Sequence, residues 1–134
     1  MENIPWDRLF EAAAKAREHA YAPYSKFMVG AAALFDDGVI YPGCNTENSS
    51  YSLTVCAERA AIFRAVVEGR RKLVAMAVVA DADLPCPPCG SCRQVMAEFG
   101  KPDAMVGFHS AASGQEEKYT LQELLPHAFT KDFL

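Results

Sequence analysis

Three cysteines stand at equal three-residue intervals in the stretch PCPPCGSC, at Cys86, Cys89 and Cys92. This spacing is compatible with an iron–sulfur cluster, a redox dithiol, a closed structural zinc site or an open catalytic zinc site. A bacterial-type iron–sulfur cluster needs a fourth cysteine soon after the third, and the residues RQVMAEF that follow Cys92 contain none. The choice among the other sites depends on side chains elsewhere in the chain.

Two of these cysteines, Cys89 and Cys92, lie at the start of a helix predicted over residues 89–100, where they share one face. A helix N-terminus carries free N–H groups and a positive partial charge, which favour the thiolate form that binds metals. Cys56 is predicted to lie in the first turn of another helix, over residues 54–69, where the same argument holds. We therefore predict one zinc ion per chain, bound by these three cysteines with one position left for water.

The remaining cysteine of the stretch, Cys86, is predicted to stay outside the zinc site. It precedes Pro87 and Pro88, and a residue before proline is held in extended geometry. Extended steps of ~3.1 Å place its Cα roughly 9 Å from that of Cys89, whereas thiolates on one zinc lie within about 4 Å of each other. Were Cys86 a ligand, the site would be closed and the chain a zinc-stabilised binding protein. A redox dithiol within CGSC is a further alternative.

An acid and two arginines flank the predicted ligands. Glu58 follows Cys56 by two residues, a spacing at which helical side chains do not face the same way, so it is predicted to carry protons rather than bind the metal. A zinc ion with three thiolates carries a net negative charge, which weakens its effect on bound water. Arg59, beside Glu58, and Arg93, beside Cys92, are predicted to donate to the sulfurs and reduce that charge.

The elements that must position these residues follow from hydrophobic patterning. After a β-hairpin closed by the turn DDG, strands alternate with helices, which predicts an α/β fold: a three-layer α-β-α sandwich with a mixed sheet of about five strands. We find no repeat or linker, so residues 1–134 are predicted to form a single domain. The predicted helices cover residues 5–20, 54–69, 89–100 and 120–125, and the predicted strands cover 28–35, 39–45, 73–80, 104–110 and 117–119.

Composition and charge restrict the class of protein. The chain has 134 residues, 51% of them hydrophobic, and a net charge of −4, with one compact basic cluster at 70–72, which argues against a nucleic-acid polymer as partner. The longest apolar run, Leu73–Ala80, is far shorter than the roughly 20 residues that cross a bilayer, so no membrane association is expected. No targeting segment is visible, which predicts a cytoplasmic protein with reduced thiols.

Together these motifs resemble the cytidine deaminases of the small homotetrameric type. CAE at 56–58 and PCGSC at 88–92 match the zinc deaminase pattern, and the likeness runs from YAPYSKF through GCNTENSSYS to ELLPHAF. Cysteine rather than histidine at the first ligand position is typical of the branch that acts on free nucleosides. The resemblance implies hydrolytic deamination of cytidine and 2′-deoxycytidine, as in pyrimidine salvage, with Glu58 carrying protons.

The resemblance also implies which residues contact the nucleoside. Asn45 and Glu47, in CNTEN, would hydrogen-bond the ribose hydroxyls. Phe27 would pack against the pyrimidine ring, and the backbone at Ala57 would bind the O2 atom of the base.

Two further aromatic residues are implied to work across subunit interfaces of a homotetramer. Tyr51 would reach toward the sugar, and Phe129 would pack against the pyrimidine in the site of a neighbouring subunit. An alternative enzyme is a blasticidin-S-type deaminase, which shares the zinc motif but recognises a different sugar-like group. The stretch CNTEN favours ordinary nucleosides.

Overall fold

One mixed sheet forms the centre of the fold in a computed structural model, which describes residues 3–134. Its third and fourth strands in chain order are parallel, and the other neighbouring pairs are antiparallel. The strands are β1 (Val29–Phe35), β2 (Ile40–Cys44), β3 (Leu73–Ala80), β4 (Gly100–Ser110) and β5 (Glu116–Thr120), in the order β2-β1-β3-β4-β5.

Helices cover both faces of this sheet. Because successive side chains of a strand point to opposite faces, β1 serves two cores: Ala31, Ala33 and Phe35 face one, and Ala32 and Leu34 face the other. The predicted α/β sandwich with a mixed sheet is thus confirmed. The helices are α1 (Trp6–Arg17) on one face and α2 (Ala57–Val67), α3 (Gly90–Phe99) and α4 (Leu121–Leu124) on the other.

Small residues let α2 approach the sheet closely. Ala57, Ala61 and Ala65 are fully buried along the inner face of α2. Opposite them, Gly43 of β2 leaves so little room that an added Cβ would lie 2.4 Å from the backbone nitrogen of Ala61. The position of α2, which carries the first predicted zinc ligand at its N-terminus, is therefore set by backbone-to-backbone contact with β2.

Several element boundaries differ from the predicted ones. The helix predicted over 54–69 begins only at Ala57, because the backbone of Val55 pairs with Thr46 through two hydrogen bonds of 2.9 and 3.0 Å. The strand predicted over 104–110 begins at Gly100, directly after α3, where it pairs with Leu73 of β3. Along residues 3–134, no helix combines the length and the hydrophobicity needed to span a membrane.

Candidate active site

Three cysteine sulfurs lie together where α2 and α3 begin. The Sγ atoms of Cys56, Cys89 and Cys92 all lie within 4.8 Å of one another. The Cys89 and Cys92 sulfurs are 3.3 Å apart, and those of Cys56 and Cys89 are 3.8 Å apart. Cys56 was predicted in the first turn of α2, but it is the N-cap that precedes this helix. Cys89 is the N-cap of α3.

The donor set fits a zinc ion. Sulfur ligands at ~2.3 Å from one zinc are separated by about 4 Å or less, and the two measured separations meet this limit. Within residues 3–134, the group of possible ligands contains three cysteines and no fourth side chain. Cys86 is not part of that group, and its Sγ lies 3.8 Å from the carbonyl oxygen of Pro87. These donors describe an open tetrahedral site rather than a closed one.

The charge on the sulfurs is shared unequally. Hydrogen bonds from the Cys92 thiol and from Arg59 lower the pKa of Cys56 to about 5, although partial burial opposes the change. The same interaction with Cys56 raises the pKa of Cys92. Nη2 of Arg59 donates to Cys56 Sγ at 3.2 Å and to the Thr54 carbonyl at 3.4 Å. Arg59 therefore stabilises a thiolate at the first ligand position, as predicted from its place in the sequence.

Glu58 is the second residue of α2, and its carboxyl group is buried. Its side chain is 5% exposed, and this burial is the main reason why its pKa is raised to about 7. The negative charge of Cys56 raises the pKa further, while a hydrogen bond from its own N–H and the charge of Arg59 lower it. A carboxyl group with a pKa near neutrality can both accept and release a proton, which is what a general acid–base catalyst requires.

The prediction that Arg93 donates to a zinc ligand is wrong. Its Nε donates to the carbonyl oxygen of Pro88 and its Nη1 to that of Leu124, each at 2.8 Å. These two carbonyl groups hold the guanidinium, although Arg93 follows Cys89 by four residues, a spacing that shares a helix face. Its role is to connect the start of α3 to the end of α4.

Asn45, at the end of β2, holds the segment that carries Phe27. Only 8% of Asn45 is exposed, and its Nδ2 donates to the Phe27 carbonyl at 2.8 Å. Its Oδ1 accepts the Val29 N–H at 2.9 Å. One amide proton and one lone pair of the Asn45 side chain stay available for a ligand.

The carboxylate of Glu47 is bound to the same segment. Its Oε1 accepts the N–H groups of Tyr24 and Ser25 at 3.0 and 3.2 Å, and its Oε2 accepts the hydroxyl of Ser25. The Ser25 hydroxyl is the main cause of a lowered pKa at Glu47. Ser25 is absent from the predicted site residues, although a short polar side chain in a turn two residues before Phe27 is a usable signal for such a contact.

The other residues implied by the resemblance lie in different surroundings. Ala57 is the buried first residue of α2, where N–H groups have no acceptor within the helix and are available to a ligand. Tyr51 is 74% exposed, with its ring 5.9 Å from that of Tyr24. Phe129 is 62% exposed and stacks on Phe133 with the ring centroids 5.8 Å apart. The two exposed rings thus have their contacts outside the cysteine cluster.

Known proteins share both this sequence and this backbone. Residues 5–108 match the family described as the cytidine and deoxycytidylate deaminase zinc-binding region. The chain is 53% identical over 128 residues to a cytidine deaminase of Sporosarcina psychrophila, a match that covers 96% of this chain and 93% of that protein. It is 42% identical over 134 residues to a cytidine deaminase of Mycobacterium tuberculosis, covering 100% of this chain and 96% of the other.

A solved structure is similar along nearly the whole chain. The crystal structure of cytidine deaminase from Burkholderia pseudomallei superimposes with a TM-score of 0.89 at 48% identity, covering 94% of this chain and 100% of that one. The similarity therefore includes the sheet and the two helices that begin at the cysteine cluster.

Proposed function

This chain belongs to the cytidine and deoxycytidylate deaminase family, and we propose that it hydrolyses cytidine and 2′-deoxycytidine to the corresponding uridines and ammonia. The observation that carries the proposal is the juxtaposition of three converging sulfurs with a buried carboxyl group. The cysteine cluster offers a zinc site to which no fourth side chain from residues 3–134 contributes, and Glu58 lies within two residues of Cys56 with a pKa of about 7.

The zinc ion, when bound by the three cysteines, supplies a Lewis acid that makes water acidic enough to act as a nucleophile near neutral pH. Glu58 performs the proton transfers. Its carboxylate takes a proton from the attacking water and passes it to N3 of the pyrimidine; it then takes the proton of the new C4 hydroxyl and delivers it to the departing amine. A C–O bond forms at C4, the C–N bond breaks, and ammonia leaves with the proton that Glu58 supplied.

Arg59 is proposed to support this chemistry without touching the substrate. Its guanidinium donates to Cys56 Sγ, which withdraws negative charge from the donor set. Its Nε is buried and has no hydrogen-bond partner among residues 3–134.

The nucleoside is proposed to bind along the end of β2. Asn45 and Glu47 would bind the ribose hydroxyls, Phe27 would pack on the pyrimidine, and the backbone at Ala57 would bind O2. The support is that Asn45 and Glu47 hold the Phe27 segment, so the groups for sugar and base share one frame. A buried polar site discriminates strongly against substrates that lack the matching hydroxyl.

We propose in addition a homotetramer in the cytoplasm, with a role in pyrimidine salvage. The exposed aromatic side chains of Tyr51 and Phe129 support shared sites, because large apolar surface is usually covered by a partner. Five free cysteines, three of them in the candidate metal site, fit a reducing compartment. Light scattering of the purified protein would test the tetramer, and a monomer that retains full activity would contradict sites completed by Tyr51 and Phe129.

The test of function is the ultraviolet absorbance of cytidine in the presence of purified, zinc-assayed protein. We expect conversion to uridine with one zinc per chain. Replacing Glu58 by Gln should preserve the zinc and slow the reaction by roughly 10²–10⁴-fold, because proton transfer is lost. Zinc-loaded protein that leaves cytidine unchanged would refute the proposal. Faster conversion of blasticidin S than of cytidine would favour the alternative enzyme.

A further inference from the structure

The hydroxyl of Ser25 connects two groups that are proposed to bind opposite ends of the nucleoside. It donates to Oε2 of Glu47, the proposed sugar-binding carboxylate. The same oxygen accepts the backbone N–H of Phe27, the proposed base-packing residue, at 3.0 Å. Ser25 is therefore in direct contact with both parts of the site.

The backbone of Phe27 is held at both of its polar atoms. Its N–H is bound by Ser25, and its carbonyl accepts Nδ2 of Asn45 at 2.8 Å. The residue between Ser25 and Phe27 is Lys26, whose backbone φ angle is 62°. This value lies in the left-handed region, which residues other than glycine rarely adopt. One turn bond, from Lys26 N–H to the Ala22 carbonyl at 3.0 Å, accompanies this conformation. Such a strained residue persists only where surrounding contacts hold it, and the contacts of Ser25 are among them.

The hydrogen-bonding capacity of Glu47 is largely used by this loop. A carboxylate offers about four lone-pair positions. The N–H groups of Tyr24 and Ser25 occupy two of them on Oε1, and the Ser25 hydroxyl occupies one on Oε2. A sugar hydroxyl would take the remaining position, so that sugar binding and loop conformation depend on the orientation of a single carboxylate.

We infer that Ser25 is a positioning residue that couples sugar recognition by Glu47 to base packing by Phe27; the inference rests on the proposed function. The hydroxyl orients the carboxylate and fixes the start of the Phe27 backbone in the same contact. A nucleoside whose sugar binds Glu47 would thus also stabilise the conformation of the loop that carries Phe27, against which its pyrimidine packs.

The test compares Ser25→Ala with Ser113→Ala as a matched control. Ser113 is also exposed and accepts the N–H of the residue two positions on, Gln115, at 3.3 Å, but it has no carboxylate partner. Loss of a charge-assisted hydrogen bond should raise the KM for cytidine by about 10-fold or more in Ser25→Ala, with kcat changed much less. Ser113→Ala should leave both constants unchanged, and Ser25→Thr, which keeps the hydroxyl, should restore the low KM.

A double-mutant cycle separates coupling from a general loss of structure. In a Glu47→Ala background, Ser25→Ala should raise KM by clearly less than the ~10-fold expected in the wild type, because the Glu47 contact is already gone and only the Phe27 contact is left to lose. Equal losses in the wild-type and Glu47→Ala backgrounds, or a Ser25→Ala protein no different from Ser113→Ala, would overturn the inference. Should Glu47→Ala fail to fold, Glu47→Gln serves in the same cycle. Since every variant is compared with wild-type protein in the same assay, failure of the proposed function would show separately, as a wild type without activity.

Discussion

Replacing Gly43 by alanine should move α2 away from β2 and so disturb the metal site. The new Cβ would lie 2.4 Å from the Ala61 nitrogen and 2.6 Å from the Ala57 carbonyl oxygen. Both are helix backbone atoms, which cannot rotate aside as a side chain would. The helix as a whole must withdraw, and its N-cap is Cys56, a proposed zinc ligand.

The loss of stability and zinc affinity in Gly43→Ala can be estimated from how closely the new Cβ approaches the backbone of α2. Ordinary carbon contacts need ~3.5 Å, so α2 must shift by about 1 Å. Overpacking of this kind costs about 1–3 kcal/mol, and the lower backbone entropy of unfolded alanine offsets roughly 0.4–1 kcal/mol of that. For a chain of this size, the remainder of up to about 2.5 kcal/mol lowers the melting temperature by up to ~10 °C. Metal–ligand distances tolerate only about 0.2 Å, so zinc affinity should fall at least ~10-fold.

The assay is thermal unfolding together with zinc competition against a chromophoric chelator, and neither measurement depends on activity. Gly90→Ala is the matched control, because a Cβ at Gly90 meets no atom within 4 Å. We expect Gly90→Ala to hold zinc as tightly as the wild type and to unfold at the same or a slightly higher temperature, because alanine lowers the entropy of the unfolded chain. If Gly43→Ala unfolds at the same temperature and holds zinc as tightly as Gly90→Ala, the idea that backbone contact positions α2 is refuted.

Three further predictions concern individual side chains. Arg59→Ala should weaken zinc binding by about 10–100-fold in chelator competition, because the hydrogen bond to a ligand sulfur is lost; a result equal to that of the exposed Arg64→Ala would contradict this. Cys86→Ala should keep one zinc per chain and full activity, since Cys86 is outside the ligand group; loss of the metal would instead indicate a closed site. The hydrogen bond from Lys118 is the main cause of a lowered pKa at Glu116. The charged pair therefore stabilises the folded protein at any pH above the pKa that Glu116 has in the unfolded chain. This stabilisation is lost as the pH falls through the lower pKa that Glu116 has in the folded protein. Glu116→Gln should therefore flatten the fall of the melting temperature below about pH 4.5, and an unchanged slope would show that the pair contributes nothing.

Local sequence patterns were sufficient to predict the cysteine cluster and most of the elements. Cysteine at a predicted helix start is a local property, because the free N–H groups and the helix dipole act within one turn. For this reason Cys56, Cys89 and Cys92 were grouped correctly, as their sulfurs lie together in the structure. The alternation of strands and helices was likewise enough to predict the mixed sheet.

Element boundaries depended on partners that are distant in sequence. Val55 is β-branched and suits an extended backbone, but what keeps it out of the helix that follows is its pairing with Thr46 of another segment. Gly100 similarly continues as a strand because Leu73 lies beside it. Propensity within a short window does not contain this information, since pairing energy from the sheet overrides it.

Where the hydrogen-bond partner is distant in sequence, the direction of a polar side chain was decided by tertiary structure. Arg59 and Arg93 both stand next to site residues in the sequence, yet one donates to a ligand sulfur and the other to carbonyl groups of Pro88 and Leu124. Ser25 received no role from sequence, because its carboxylate partner is 22 positions away. The sequence by itself determined which residue types meet at the helix starts, and only the fold decided which hydrogen-bond donors reach them, because such contacts depend on distances between segments that the chain order does not specify.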